Sequence, residues 1–81
     1  MKVTVQFFGE FRRVTGLGHW ELELEEPARI SEVLEAVRNK FPILRKYARS
    51  TLISRGLEFA EPTEEVRDGD EISLMPPVAG G

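Results

Sequence analysis

Pro76 and Pro77 stand directly after a five-residue strand pattern, Glu71 to Met75, and divide the chain into what can belong to a sheet and what cannot. A proline ring fixes φ, leaves no N–H to donate, and pushes the residue before it into an extended conformation. Two in succession force the backbone out of any ladder at Pro76 and keep it extended. Everything upstream must therefore close a core without the last six residues. The chain has 81 residues and no cysteine, so that core rests on apolar packing, with no disulfide or thiolate metal site to staple it.

The upstream residues alternate where they need to. Val3, Val5 and Phe7 interleave with Thr4, Gln6 and Phe8, the period of two of a strand with one buried face. Glu10 to Val14 can form one helical turn, closed by Gly16 and Gly18. Trp20, Leu22 and Leu24 then alternate with Glu21, Glu23 and Glu25, predicting a second strand antiparallel to the first. That alternation gives these glutamates a solvated face, and with Glu26 they read as surface charge rather than as a metal site. Pro27 ends the strand. Ser31 is the expected N-cap of a helix that carries Glu32 and Glu35 near its positive end. Ile30, Leu34, Val37 and Phe41, with Val33 beside them, recur at helical spacing and predict a face packed on the sheet, and Pro42 stops it. A short turn around Leu44, Tyr47 and Ala48 follows. Thr51 to Ser54 reads as a third strand, Gly56 as a turn, and Leu57 to Ala60 as a short element that Pro62 confines to an edge. Val66 to Asp70 is a turn in which Gly69 supplies positive φ. In the last strand Ile72 and Leu74 face one way, and Glu71, Ser73 and Met75 the other.

This order predicts an α+β fold: one mixed sheet with one main helix across one face, the first and last strands parallel neighbours in its middle. That is the ubiquitin-like β-grasp arrangement. Residues 1–81 form a single domain in this reading, with 76–81 a projecting, flexible tail.

Charge and chemistry narrow the partners. The net charge of −3, from 11 Lys and Arg against 14 Asp and Glu, argues against a nucleic-acid binder. No apolar run reaches the roughly 18 residues of a membrane span, and Met1-Lys2-Val3-Thr4 enters a strand pattern directly, so no membrane association and a cytoplasmic location are expected. Arg38, Lys40, Arg45, Lys46, Arg49 and Arg55 concentrate positive charge mid-chain, as a solvated helix face or as a steering patch for an acidic partner. The lone His19 sits near a turn with no nucleophile to serve, and is expected at the surface. A standalone enzyme is not expected, nor a metal or cofactor held by this chain.

The tail has a chemistry of its own. Six extended residues reach about 20 Å, enough to place a terminus inside another protein's active site. Gly80 and Gly81 carry no side chain, so a terminal carboxylate can pass a channel too narrow for any Cβ. The alternative is a frayed end. Beside the tail, the outward positions of the first and last strands turn apolar together, at Phe8 and Met75. With Leu57 or Phe59 from the neighbouring edge they form a candidate docking patch. Phe8 as a core residue at the strand end, or these residues as scattered surface apolar side chains, is the competing reading.

The run Asp68-Gly69-Asp70-Glu71, the end Pro76-Pro77-Val78-Ala79-Gly80-Gly81 and the early Val5-Gln6-Phe7-Phe8-Gly9 together resemble the MoaD-type small subunit of molybdopterin synthase, across the whole chain. Ser54 departs from the pattern, which more often has asparagine there. The resemblance implies that the Gly81 carboxylate is adenylated with ATP by an E1-like enzyme and converted to a thiocarboxylate. It implies that Pro76, Pro77, Val78, Ala79 and Gly80 enter the active site of a large catalytic subunit, where the acid–base residues lie. Sulfur then passes to cyclic pyranopterin monophosphate, within a heterotetramer of two small and two large subunits. Two other functions share the activation step: a sulfur carrier for thiazole, cysteine or tRNA thiolation, and a protein modifier joined to lysine through Gly81. A non-covalent binding module is the outsider.

Overall fold

The computed structural model describes residues 1–77. Strand β1 (Lys2–Phe7) is followed by helix α1 (Gly9–Thr15), β2 (His19–Glu23), β3 (Ala28–Arg29) and helix α2 (Ile30–Lys40). A 3-10 helix (Pro42–Tyr47) leads to β4 (Leu52–Arg55), β5 (Glu58–Phe59), β6 (Glu65–Val66) and β7 (Glu71–Met75). Five strands make one sheet in the order β2-β1-β7-β4-β5. The central pair β1 and β7 is parallel and every other pairing in this sheet is antiparallel. This is the expected β-grasp topology.

The alternation sets which side is buried. Val3, Val5 and Phe7 of β1 and Ile72 and Leu74 of β7 are each at most 2% exposed and meet Ile30, Val33, Leu34 and Val37 of α2. Phe41, expected within the helix, is its C-cap. It sits half-buried between Phe7 and Trp20, edge-on to both rings at 5.5 and 5.7 Å.

The Asp68-Gly69-Asp70 turn aligns the parallel pair. Gly69 has φ of 87° and donates its N–H to the Lys2 carbonyl at 2.8 Å, while the Asp68 carboxylate accepts from the Lys2 N–H at 2.7 Å. The Arg67 N–H donates to the Asp70 carboxylate at 2.9 Å, and the Thr4 N–H to the Asp70 carbonyl at 3.0 Å. The turn thus clasps the start of β1 and sets the register Thr4 against Glu71.

Several local expectations are corrected. The segment after β1 is a seven-residue helix rather than a single turn, closed by Gly16 at φ of 74°. Arg29, not Ser31, is the N-cap of α2. An arginine side chain has no acceptor to offer, and the first helical N–H groups are met from outside: Ile30 donates to the Glu64 carbonyl and Ser31 to that of Pro62, both at 2.9 Å. The loop that supplies these accepting carbonyls is held there by a second, two-stranded sheet, in which β3 and β6 pair Ala28 with Val66 and Arg29 with Glu65. Val66 therefore belongs to a strand, and the turn begins after it. The Leu57 to Ala60 element contracts to Glu58–Phe59 at the sheet edge.

Candidate functional site

Cross-strand partners share a face of the sheet, so the register maps the side that α2 leaves open. At the end where β1 starts, Thr4 pairs with Glu21 and Glu71, and Lys2 with Glu23, giving a charged row. The middle row is polar: His19, Gln6, Ser73 and Ser54 run across four strands to Phe59 on the edge. Gln6 Nε2 donates to Glu71 Oε1 at 2.9 Å, and the departing residue Ser54 lies half-buried in this row. His19 is exposed, as expected.

The third row is apolar. Leu52 pairs with Met75, and the parallel register carries on past Leu74 to set Phe8 beside Met75, with the Phe8 N–H donating to the Leu74 carbonyl at 3.2 Å. Phe8 lies just outside β1 but keeps an extended backbone, φ −124° and ψ 156°, so its side chain continues the outward series. It is 44% exposed, and the core reading of Phe8 is corrected. Leu57 and Phe59 are 105% and 77% exposed, and with Met75, Ser54 and Gly56 they line a shallow hollow of about 190 Å³. Phe8 and Met75 lie at the end of the open face where the chain leaves, Phe59 stands in the middle row on the edge, and Leu57 follows Arg55 in the turn toward the Glu71 end, sharing the hollow with Phe59 and Met75. Leu52, 39% exposed, joins them and was not anticipated. Its signal was available: in a half-buried strand only one of Leu52 and Ile53 can face the core, and Ile53 does.

The chain leaves the sheet at this same end. Pro76 is half-buried and Pro77 exposed. Gly9, at φ of 55°, lets Pro76 lie close; a Cβ there would come within 3.2 Å of the proline Cγ. Val78, Ala79, Gly80 and Gly81 lie outside the described residues.

The basic residues separate into two groups. Arg55 is engaged with its neighbours, donating to Glu64 Oε1 and the Glu65 carbonyl at 2.6 Å and lying 3.6 Å from Asp70. Arg45 bonds Asn39 and lies 3.6 Å from Glu35. Among the described residues no carboxylate lies within 4.0 Å of Arg38, Lys40, Lys46 or Arg49. In the exposed pair Glu10 and Arg13, the hydrogen bond from Arg13 holds the Glu10 carboxyl below its ordinary value and, reciprocally, raises that of Arg13. Among the described residues no group of three or more His, Cys, Asp or Glu is placed to hold a metal ion. No helix there is long and apolar enough to cross a membrane.

A small β-grasp domain, with an apolar patch beside the point where a diproline leads the chain away, defines a ubiquitin-like protein. The chain belongs to the ThiS family, whose model matches residues 5–81. The molybdopterin synthase sulfur carrier subunit of Chlamydomonas reinhardtii is 28% identical over 83 residues, covering all of both chains. The small archaeal modifier protein 1 of Methanosarcina acetivorans is 27% identical with a TM-score of 0.80, over 99% of this chain and 96% of that one. A complex of subunits 1 and 2 of the molybdopterin-converting factor from Helicobacter pylori contains a chain 27% identical, with a TM-score of 0.71 and both chains covered in full.

Proposed function

We propose that this chain is the sulfur carrier subunit of a molybdopterin synthase, delivering sulfur from a Gly81 thiocarboxylate to cyclic pyranopterin monophosphate. The observation that carries the reading is the full-length likeness to a molybdopterin synthase sulfur carrier subunit, in a chain whose apolar row ends where the tail departs. A free carboxylate has no good leaving group. An E1-like partner therefore first uses ATP to form the acyl-adenylate, releasing pyrophosphate, and a sulfur donor then displaces AMP to leave the thiocarboxylate. Its sulfur bonds to a side-chain carbon of the pterin precursor in the large subunit's active site as a carbon–oxygen bond there breaks, and water then cleaves the carbonyl carbon–sulfur bond, leaving the sulfur on the pterin and returning the tail as carboxylate. Two such deliveries complete one dithiolene. The carrier is consumed and recharged, and the acid–base groups belong to the large subunit.

In this reading Pro76 to Gly80 thread the partner's channel while Phe8, Met75, Leu57 and Phe59 dock. Each apolar anchor buried in a partner returns roughly 1.5–3 kcal/mol, enough for two or three to set the affinity. The Phe8→Ser, Met75→Ser double variant is expected to bind the cognate large subunit at least about a hundredfold more weakly, from the same area scale, with an unchanged circular-dichroism spectrum. Unchanged affinity with an intact fold would remove the patch from the account.

The likeness to a small archaeal modifier protein favours one second reading, conjugation of Gly81 to lysine. Reconstitution separates them: the charged carrier, the large subunit and the pterin precursor should yield molybdopterin, whereas a modifier should yield lysine-linked adducts and no pterin product.

A further inference from the structure

A groove of about 450 Å³ opens behind the β5 edge, between α2 and β4–β5. Buried Leu34 and Ile53 form its floor, and Leu52 and Phe59 line it as well, so it is continuous with the apolar row of the open sheet face. Arg38 and Arg49 also line it, and among the described residues neither has a carboxylate within 4.0 Å. The groove's one acidic residue is Glu61, so its local charge is positive in a chain of net charge −3.

This combination is selective. An apolar floor alone accepts any hydrophobic side chain, but two guanidiniums brought against a partner lose water unless carboxylates replace it. A basic or neutral segment would leave them unpaired. An acidic segment gains fork-like hydrogen bonds that lysine could not offer as well.

We propose that this groove receives an acidic segment with an apolar anchor, belonging to the large subunit that docks on the sheet face, so that the partner wraps the β5 edge. The proposal rests on the reading of the chain as a synthase subunit. Phe59 serves both surfaces, and Arg38 and Arg49 fix the segment's position and speed its approach at low salt.

The test is calorimetric titration of the cognate large subunit with wild type, with Arg38→Glu, Arg49→Glu, and with Lys40→Glu, Lys46→Glu. The two double variants change charge equally, and Lys40 and Lys46 are exposed outside the groove. The groove variant is expected to bind about tenfold more weakly than wild type and to lose most of the salt dependence, with the lysine variant within about threefold of wild type. An Arg38→Gln, Arg49→Gln variant, expected to lose affinity in the same direction, serves if the charge reversal disturbs the melting curve. Equal losses in the groove and lysine variants overturn the proposal, as does wild-type affinity in the glutamine variant. Failure of the wild type itself to bind the large subunit overturns the synthase reading along with it.

Discussion

Phe7 and Phe8 are neighbours in the chain, yet one is 1% exposed and the other 44%. Phe7 is packed into the core with Phe41 edge-on to it, so Phe7→Ala removes both burial and an aromatic contact. It is expected to cost about 3–5 kcal/mol in urea unfolding, a large part of a small domain's stability, while Phe8→Ser costs less than about 1 kcal/mol and acts on binding instead. A reversal of that ranking would contradict the assignment of the two faces. Leu57, wholly exposed, and Phe59 were legible as outward-facing because each stands in a short edge segment with little core to enter. Alternation with Ile53 could mark Leu52 as outward-facing, but its place beside Met75 needs the strand order, which the sequence does not state.

The Glu10 and Arg13 pair gives the residue scale its pH dependence. The Glu10 carboxyl is held below its ordinary value chiefly by the Arg13 hydrogen bond. Its contribution is therefore present above the ordinary carboxylate pKa and lost as the pH falls through the lowered folded value. Both groups are exposed and screened, so the contribution is small. Glu10→Gln is expected to lower the urea midpoint slightly at pH 7, with the difference from wild type vanishing at acid pH. A difference that grew on acidification would have the wrong sign.

At the scale of elements, β1, β2, β7 and α2 were readable because each is long enough to show its period. The pair β3 and β6 was not, because two residues carry no period and their partners lie far apart in sequence. The N-cap of α2 failed for a related reason. A local rule looks for Ser31, whereas the N–H groups find the carbonyls of Pro62 and Glu64, a tertiary contact. The turn before β7 was readable because a single glycine announces it. Gly69 has positive φ and open space around its Cα, so Gly69→Ala meets backbone strain without a clash. It is expected to cost about 1–2 kcal/mol, seen as a lowered denaturation midpoint with an unchanged slope. No change would mean that the turn relaxes without Gly69 and does not set the β1–β7 register.

Across the whole molecule the open face is graded, from the charged row of Lys2, Glu21, Glu23 and Glu71 to the apolar row of Phe8, Met75 and Leu52 where the chain departs. The fold was legible because helix, strand and proline signals agree along most of the chain. The gradient was half legible: alternation marks which residues face outward, but only the sheet order makes Phe8, Met75 and Leu52 one surface. The tail's chemistry was legible from Pro76, Pro77, Gly80 and Gly81 as a proposal about what another protein does to it.

The most direct test of that proposal is the intact mass of the purified chain after incubation with its E1-like enzyme, ATP and a sulfur donor, beside a variant lacking Gly81. The sulfur-carrier reading expects the full-length chain to exchange one oxygen for sulfur, with tandem fragmentation placing the change at Gly81 and the truncated chain unchanged. An unaltered mass with an activating enzyme shown to form the adenylate would contradict it.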